Sequence, residues 1–241
     1  MTKLSVNLNK VALLRNTRNI GIPSITKMAK ICIEAGANGI TVHPRPDQRH
    51  IRPSDVYDLA EVVSSVEFNI EGNPLESSFM EIVRRVKPTQ CTLVPDTPDT
   101  FTSDSGWDLT QNHERLLPII QELQSLGCRV SLFMDADIEQ ICLVPATGAE
   151  RIELYTEPYA TAFRENHNLE ATWQQFAQAA EKSQELGLGV NAGHDLNLAN
   201  LAKFCTIPNI LEVSIGHALT AEALEMGFAH TVRQYIAILL K

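Results

Sequence analysis

The stretch Gly39 to Arg52, GITVHPRPDQRHIR, places two histidines (His43, His50) and three arginines (Arg45, Arg49, Arg52) directly after a short run rich in β-branched residues, Ile40, Thr41 and Val42. Imidazoles move protons near neutral pH, and guanidiniums bind carboxylates and phosphates. A buried strand that ends in an ionisable loop is how an α/β protein delivers side chains to a site. Pro44 and Pro46 restrict the backbone on both sides of Arg45, so its charge is presented with little entropy left to lose. The loop suits an anionic ligand.

Polar and ionisable residues stand at the ends of other apolar runs as well: Asn7, Glu71, Asp135, Glu153, His194 in the turn Gly193-His194, and Gly216-His217. If these ends meet at one concavity, three carboxylates and three histidines perturb one another's pKa values and supply acids and bases near neutral pH. Lys10, Arg18, Arg45 and Arg49 on adjacent loops supply positive charge. The glycine turns at 193 and 216 let backbone N–H groups approach phosphate oxygens.

The elements that must do the positioning follow from periodicity. Leu4 to Leu8 reads as a strand, followed by a polar segment, Asn9 to Pro23. Ser24 starts a helix whose apolar positions Ile25, Met28, Ala29 and Cys32 recur at helical spacing, and Gly36 sits where a C-terminal cap belongs. Strand two is Gly39 to Val42. A helix capped by Ser54 carries Val56, Leu59, Ala60 and Val63 on one face. Val66 to Ile70, Gln90 to Val94, Arg129 to Phe133, Arg151 to Tyr155, Gly189 to Ala192 and Leu211 to Ile215 complete the strands. Between them lie helical patterns over Glu76 to Val86, around Leu116 to Leu123 and over Leu169 to Leu186. A short helix at Ile138 to Val144 is limited by Pro145, and a last helix spans Thr220 to Leu240. The segments after Pro95 and up to about His167 lack periodicity and read as long loops. Eight strands alternating with helices select an α/β fold, a closed (β/α)8 TIM barrel with extra helices, over one domain spanning residues 1–241. Such a barrel takes ~250 residues. An open doubly wound sheet is the structural alternative, but its GxGxxG after strand one is missing.

Composition limits the partners. With 20 Lys and Arg against 29 Asp and Glu, the net charge is −9, which argues against a nucleic-acid or anionic-membrane surface. The 5 cysteines are odd in number, widely spaced and mostly in apolar runs, so they read as free thiols of a reducing compartment. MTKLSVNLNK lacks a signal peptide's apolar core, and no run approaches the ~20 apolar residues of a membrane span, so a cytoplasmic location is expected.

Structural roles compete with chemical ones at several positions. A single histidine such as His43 or His194 commonly serves a hydrogen bond, and Glu153 in an apolar strand can pair with an arginine inside the barrel. Asp135 is expected to cap the helix at Ile138. Arg49 and Arg52 can pair with Asp47 and Asp55. His113, His167 and His230 receive no role, and Trp107 and Trp173 are packing residues. A metal held by His43, His194, Glu71 and Glu153 lacks support from an HxH or HExxH spacing, so none is expected. No strand end carries a lysine for a Schiff base with the protein.

The runs SVNLNKVALLRNTR, GITVHPRPDQRHI, FNIEGNP, CTLVPD, VSLFMDAD, IELYTEPYA, VNAGHDL and SIGHAL, in this order and over almost the whole chain, resemble pyridoxine 5′-phosphate synthases. The resemblance implies an eight-stranded barrel with extra helices, a cytoplasmic homo-octamer, and no metal or organic cofactor. It implies two small phosphorylated substrates, 1-deoxy-D-xylulose 5-phosphate and 3-amino-2-oxopropyl phosphate. Their condensation to pyridoxine 5′-phosphate releases phosphate and water. Carried over by motif, His43 and Glu71 are proton acceptors, His194 the proton donor and Glu153 the transition-state stabiliser. Arg45, His50 and Thr102 fall where the deoxyxylulose phosphate is held, and Asn7, Arg18, Gly193, Gly216 and His217 where the aminoketone phosphate is held. Asn9-Lys10 stands where the best-known form of the family has Asp-His in contact with deoxyxylulose phosphate. Asparagine keeps an acceptor without the charge, and lysine keeps a cation that holds phosphate without titrating. DTFTSDSGW departs from the family's glycine-rich loop around Thr102. A barrel enzyme acting on one sugar phosphate, or a non-catalytic phosphometabolite-binding barrel, is the alternative; the first needs one anion site, and the second has no use for Glu71, His43 and His194 together.

Overall fold

Eight parallel strands close into a barrel in sequence order, β1 (Lys3–Asn7), β2 (Gly39–Val42), β3 (Glu67–Gly72), β4 (Gln90–Leu93), β5 (Arg129–Met134), β6 (Arg151–Tyr155), β7 (Gly189–Gly193) and β8 (Ile210–Ile215), with β8 pairing back onto β1. The computed structural model describes residues 1–18, 20–97 and 102–240. Around the barrel run α1 (Asn9–Asn16), α2 (Ile25–Glu34), α3 (Pro53–Val62), α4 (Ser77–Val86), α5 (Leu109–Ser125) and the short α6 (Ile138–Ile141) and α7 (Val144–Thr147). They are followed by α8 (Glu157–Glu165), α9 (Leu169–Glu185), the short α10 (Leu201–Phe204), α11 (His217–Met226) and α12 (Phe228–Leu239).

The apolar core is the layer between barrel and helices, where Leu4, Val6, Ile40, Val42, Ile70, Leu132, Leu154 and Val213 are all fully buried. Most of the alternate strand positions that point into the barrel are polar, with Phe133 and a few glycines as exceptions. Ser5 hydrogen-bonds Thr41 at 2.7 Å, Asn69 donates to Thr41 at 3.3 Å, and Thr92 donates to Asn69 at 3.1 Å and to Glu153 at 3.4 Å. Hydroxyls and amides thus replace the branched aliphatic layers usual in such barrels and pair with one another where water is excluded, although the buried Ser131 hydroxyl has no partner among the described residues.

Several expectations change. The polar segment after β1 contains α1, because Val11, Ala12 and Arg15 bury one face and Arg15 finds an ionic partner in Asp55, with Nη2 2.9 Å from Oδ2. An arginine occupies a slot that periodicity reserves for an apolar residue. The segment before His167 contains α8, whose Tyr159 is fully buried and donates to the Asn200 carbonyl at 2.8 Å. Helix α3 is entered at Arg52 with Pro53 in its first turn, and Asp55 accepts the Arg52 N–H at 2.8 Å, so Ser54 is not the cap. Asp137 caps α6, accepting from Glu139 N–H at 2.9 Å. Asp135 instead accepts the Gly106 N–H at 3.1 Å and ties the β4–α5 connection to the end of β5. The last helix is two, broken at Gly227, where φ is +82°.

Candidate active site

The carboxyl ends of the strands open into one cavity of about 850 Å³ measured out to its mouth, within the range of small-molecule sites. It is lined by Asn7 from β1, Asn9 and Lys10 from α1, and His43, Arg45, Arg49 and His50 from the loop after β2. Glu71 of β3, Thr102 and Ser103 of the β4–α5 connection, and Glu153 of β6 line it too. His194 and Asp195 after β7, Ser214 of β8, and Gly216-His217 at the start of α11 close the ring. Of the residues singled out from the sequence for the site, all line this cavity except Arg18, Arg52, Asp135 and Gly193. Arg18 is exposed on the turn after α1. Gly193 sits behind the lining, where a Cβ would collide with the Glu153 carboxyl, so its missing side chain makes room for that acid.

The β2 loop is built to hold its charges. Arg45 is buried and ion-paired to Asp96, whose carboxyl also accepts from Ser103 at 2.7 Å. Asn73 fixes the Asp96 backbone carbonyl at 3.0 Å. Arg49 pairs with Asp47 at 2.5 Å. His50 Nδ1 accepts the Ile51 N–H at 2.9 Å, which puts the ring proton on Nε2 and leaves His50 a donor toward the cavity.

Protonation follows from burial. Glu71, 8% exposed, is pushed up to about 8, first by desolvation and then by the Asp96 charge, against the pull of Arg45 and the Asn7 amide at 3.3 Å. Glu153, which among the described residues has no arginine partner and accepts a side-chain hydrogen bond only from the Thr92 hydroxyl, is raised well above the carboxylate range by burial and by Glu71 and Glu212. His43 is held well below 6.5 by burial and by Arg45, His50, His194 and Arg49. His50 falls to about 4 through burial, Arg45 and Lys10; His194 falls to about 4 through burial, with Asp195 opposing and Lys10 and Arg45 assisting. At neutral pH the Glu71 and Glu153 carboxyls therefore carry protons and the His43, His50 and His194 imidazoles do not.

His43 Nδ1 lies 4.0 Å from Glu71 Oε2, close enough for a proton to pass after a small approach. The His194 ring packs against Phe133 and Tyr155 with centroids 5.2 and 5.3 Å away. Its backbone has φ +84° and that of Asp195 +58°, a left-handed pair of non-glycine residues at the end of β7. Thr156 holds this conformation by donating to the carbonyls of Gly193, at 2.7 Å, and His194. Helix α11 starts at His217 without a side-chain cap on its first turn, so its N–H groups and positive dipole end are directed at the cavity.

Asp96, Ser103, Asp195 and Ser214 were missed from the sequence. Asp96 closes the run CTLVPD, and reading strand ends one residue further would have found it; Ser103 and Ser214 have no local signal, because only closure of the barrel brings them to the mouth. Among the described residues no group of three or more His, Cys, Asp or Glu side chains is placed to hold a metal ion.

Residues 4–241 match the family described as pyridoxal phosphate biosynthesis protein PdxJ. A pyridoxine 5′-phosphate synthase of Porphyromonas gingivalis is 49% identical over 236 residues, covering 98% of each chain. One of Albidiferax ferrireducens is 53% identical over 250 residues, covering 98% of this chain and 96% of its own. Phosphoribosyl anthranilate isomerase from Thermotoga maritima superposes with a TM-score of 0.63 at 11% identity, covering 99% of this chain and 98% of its own, a likeness of fold alone.

Proposed function

Because this chain belongs to the PdxJ family of pyridoxal phosphate biosynthesis proteins, we propose that its cavity condenses 1-deoxy-D-xylulose 5-phosphate with 3-amino-2-oxopropyl phosphate. The product is pyridoxine 5′-phosphate, and the ring is closed by general acid–base catalysis. The observation that carries this reading is the lining of the cavity, which brings Arg45, Arg49 and Lys10 and the start of α11 together with the protonated Glu71 and the neutral His43 and His194. Arg45, Arg49 and His50 form one end, with Lys10 and Thr102 beside them, and hold the deoxyxylulose phosphate. Gly216, His217 and the start of α11, near Asn7, form the other and hold the aminoketone phosphate. Arg18 and Gly193 act from outside the lining, Gly193 by giving space to Glu153.

The amine attacks the deoxyxylulose ketone, giving an imine between the substrates. His43, neutral in the free enzyme, takes the proton whose loss turns imine into enamine. Glu71 begins protonated, gives its proton to a departing oxygen, and accepts one in a later step. Water and the phosphate group of the deoxyxylulose unit leave, water adds to the conjugated system, and an aldol-type attack on the second carbonyl closes the ring, which becomes aromatic by losing water. Protonated Glu153 donates a hydrogen bond to charge that develops on oxygen, and the neutral His194 imidazole donates its N–H to the oxygens that leave. No added metal or organic cofactor takes part. The chain works as a homo-octamer in the cytoplasm, as the family resemblance implies, and exposed apolar side chains such as Leu14, Ile22 and Leu224 leave surface for subunit contacts.

Incubating the protein with both substrates, and with each alone, tests the reading. Pyridoxine 5′-phosphate and inorganic phosphate should appear in equal amounts and only when both substrates are present. Binding of both without product would remove the assigned reaction.

A further inference from the structure

We infer that Asn9 is a positioning residue for His43 and that it offers the cavity only a hydrogen-bond donor; this rests on the reading of His43 as a base. The β1–β2 ladder ends where Asn7 pairs with Thr41 and Leu8 N–H reaches the Thr41 carbonyl at 3.0 Å. From Asn9 onward the chain turns into α1, so the next main-chain partner for β2 is lost. His43 is 5% exposed, and its backbone N–H needs an acceptor. The side-chain Oδ1 of Asn9 supplies it at 2.9 Å.

This contact closes a circuit. The Asn9 N–H donates to Asn7 Oδ1 at 2.9 Å, Asn7 Nδ2 donates to Glu71 Oε2 at 3.3 Å, and Glu71 Oε2 faces His43 Nδ1 at 4.0 Å. Three strand ends are thereby linked around the two groups that exchange protons, and Asn9 is the only member whose side chain grips the backbone beneath His43. An N–H can be met only by the amide oxygen, so the orientation of the Asn9 amide is decided and Nδ2 is left for the cavity. Beside it Lys10, which also has donors alone, makes no hydrogen bond or ion pair among the described residues. The substrate atom that meets this edge is therefore an acceptor, a phosphate or carbonyl oxygen, and not a hydroxyl giving up its proton.

The test compares wild type, Asn9→Ala and Asn9→Asp for kcat and KM with both substrates, and for hydrogen exchange at the His43 amide. Asn9→Ala should lower kcat by about 10²-fold, the scale of a misplaced catalytic group, with KM changed by less than ~5-fold. Asn9→Asp keeps the acceptor and should recover most of kcat while raising KM for the substrate whose acceptor it then repels. Amide protection at His43 should be lost in Asn9→Ala and kept in Asn9→Asp. Wild-type kcat in Asn9→Ala, or unchanged His43 protection in it, would overturn the inference. Should Asn9→Ala not fold, an Asn9→Asp protein that has lost the His43 protection or most of its kcat would do the same. Exchange reads the backbone contact directly, so a wild type without product would remove the reading of the site and leave this result standing.

Discussion

Glu71 and His43 face each other with inverted charge states: the acid is protonated and the imidazole is not. Their difference from solution behaviour comes from burial, which penalises whichever form is charged. Glu71→Gln keeps the shape and the neutrality of the resting side chain but cannot transfer a proton. Turnover should fall by ~10²–10⁴-fold with substrate affinity little changed, seen in single-turnover rates beside direct binding. Retained turnover would strip Glu71 of its role. In wild type, kcat/KM should decline as pH rises through about 8, where free Glu71 loses its proton. A profile flat from neutrality to pH 9 would contradict that assignment.

At the scale of elements, α1 and α3 are joined through the buried pair Arg15–Asp55, and Asp55 also accepts the Arg52 N–H at the entry to α3. Both partners are less than a tenth exposed. Removing the carboxylate by Asp55→Ala strands a buried guanidinium and frees an N–H, so unfolding free energy should drop by about 3 kcal/mol in a urea titration. A loss below ~1 kcal/mol would be that of a solvated pair. Because α1 carries Asn9 and Lys10 into the cavity, and the Arg15 guanidinium also donates to the His50 carbonyl at 3.2 Å, the same variant should raise KM.

For the whole molecule, stability should depend on pH through groups of opposite sign. The pKa values of His43, His50 and His194 are depressed by folding, so their contribution grows as pH rises toward 6.5 and is complete above it. Glu71 and Glu153 are raised, so theirs is fully present below the ordinary carboxylate pKa and is lost as pH rises through the folded value, about 8 for Glu71. Between pH 6.5 and 8 only the carboxyl contribution still changes, and stability should fall there by up to ~1.4 kcal/mol per pH unit per proton. Glu71→Gln should flatten the slope; an identical slope in the variant would mean that other groups set it.

Much of this was legible along the chain. Strand and helix periodicity is local, so all eight strands and the barrel they imply could be read, and the rule that strand ends face one mouth gathered His43, Glu71, Glu153 and His194. The motifs added the family and the chemistry of its substrates. What sequence could not show is whatever depends on which groups exclude water from one another. α1 and α8 were hidden because Arg15 and Tyr159 satisfy their polar atoms through Asp55 and Asn200, partners 40 and 41 residues away. Arg18 and Arg15 look alike in a polar stretch, and only packing made one exposed and the other a buried ion-pair partner. The charge states of Glu71 and His43, and the amide of Asn9 beneath His43, were decided by closure of the barrel, because desolvation and hydrogen-bond geometry are properties of neighbours in space.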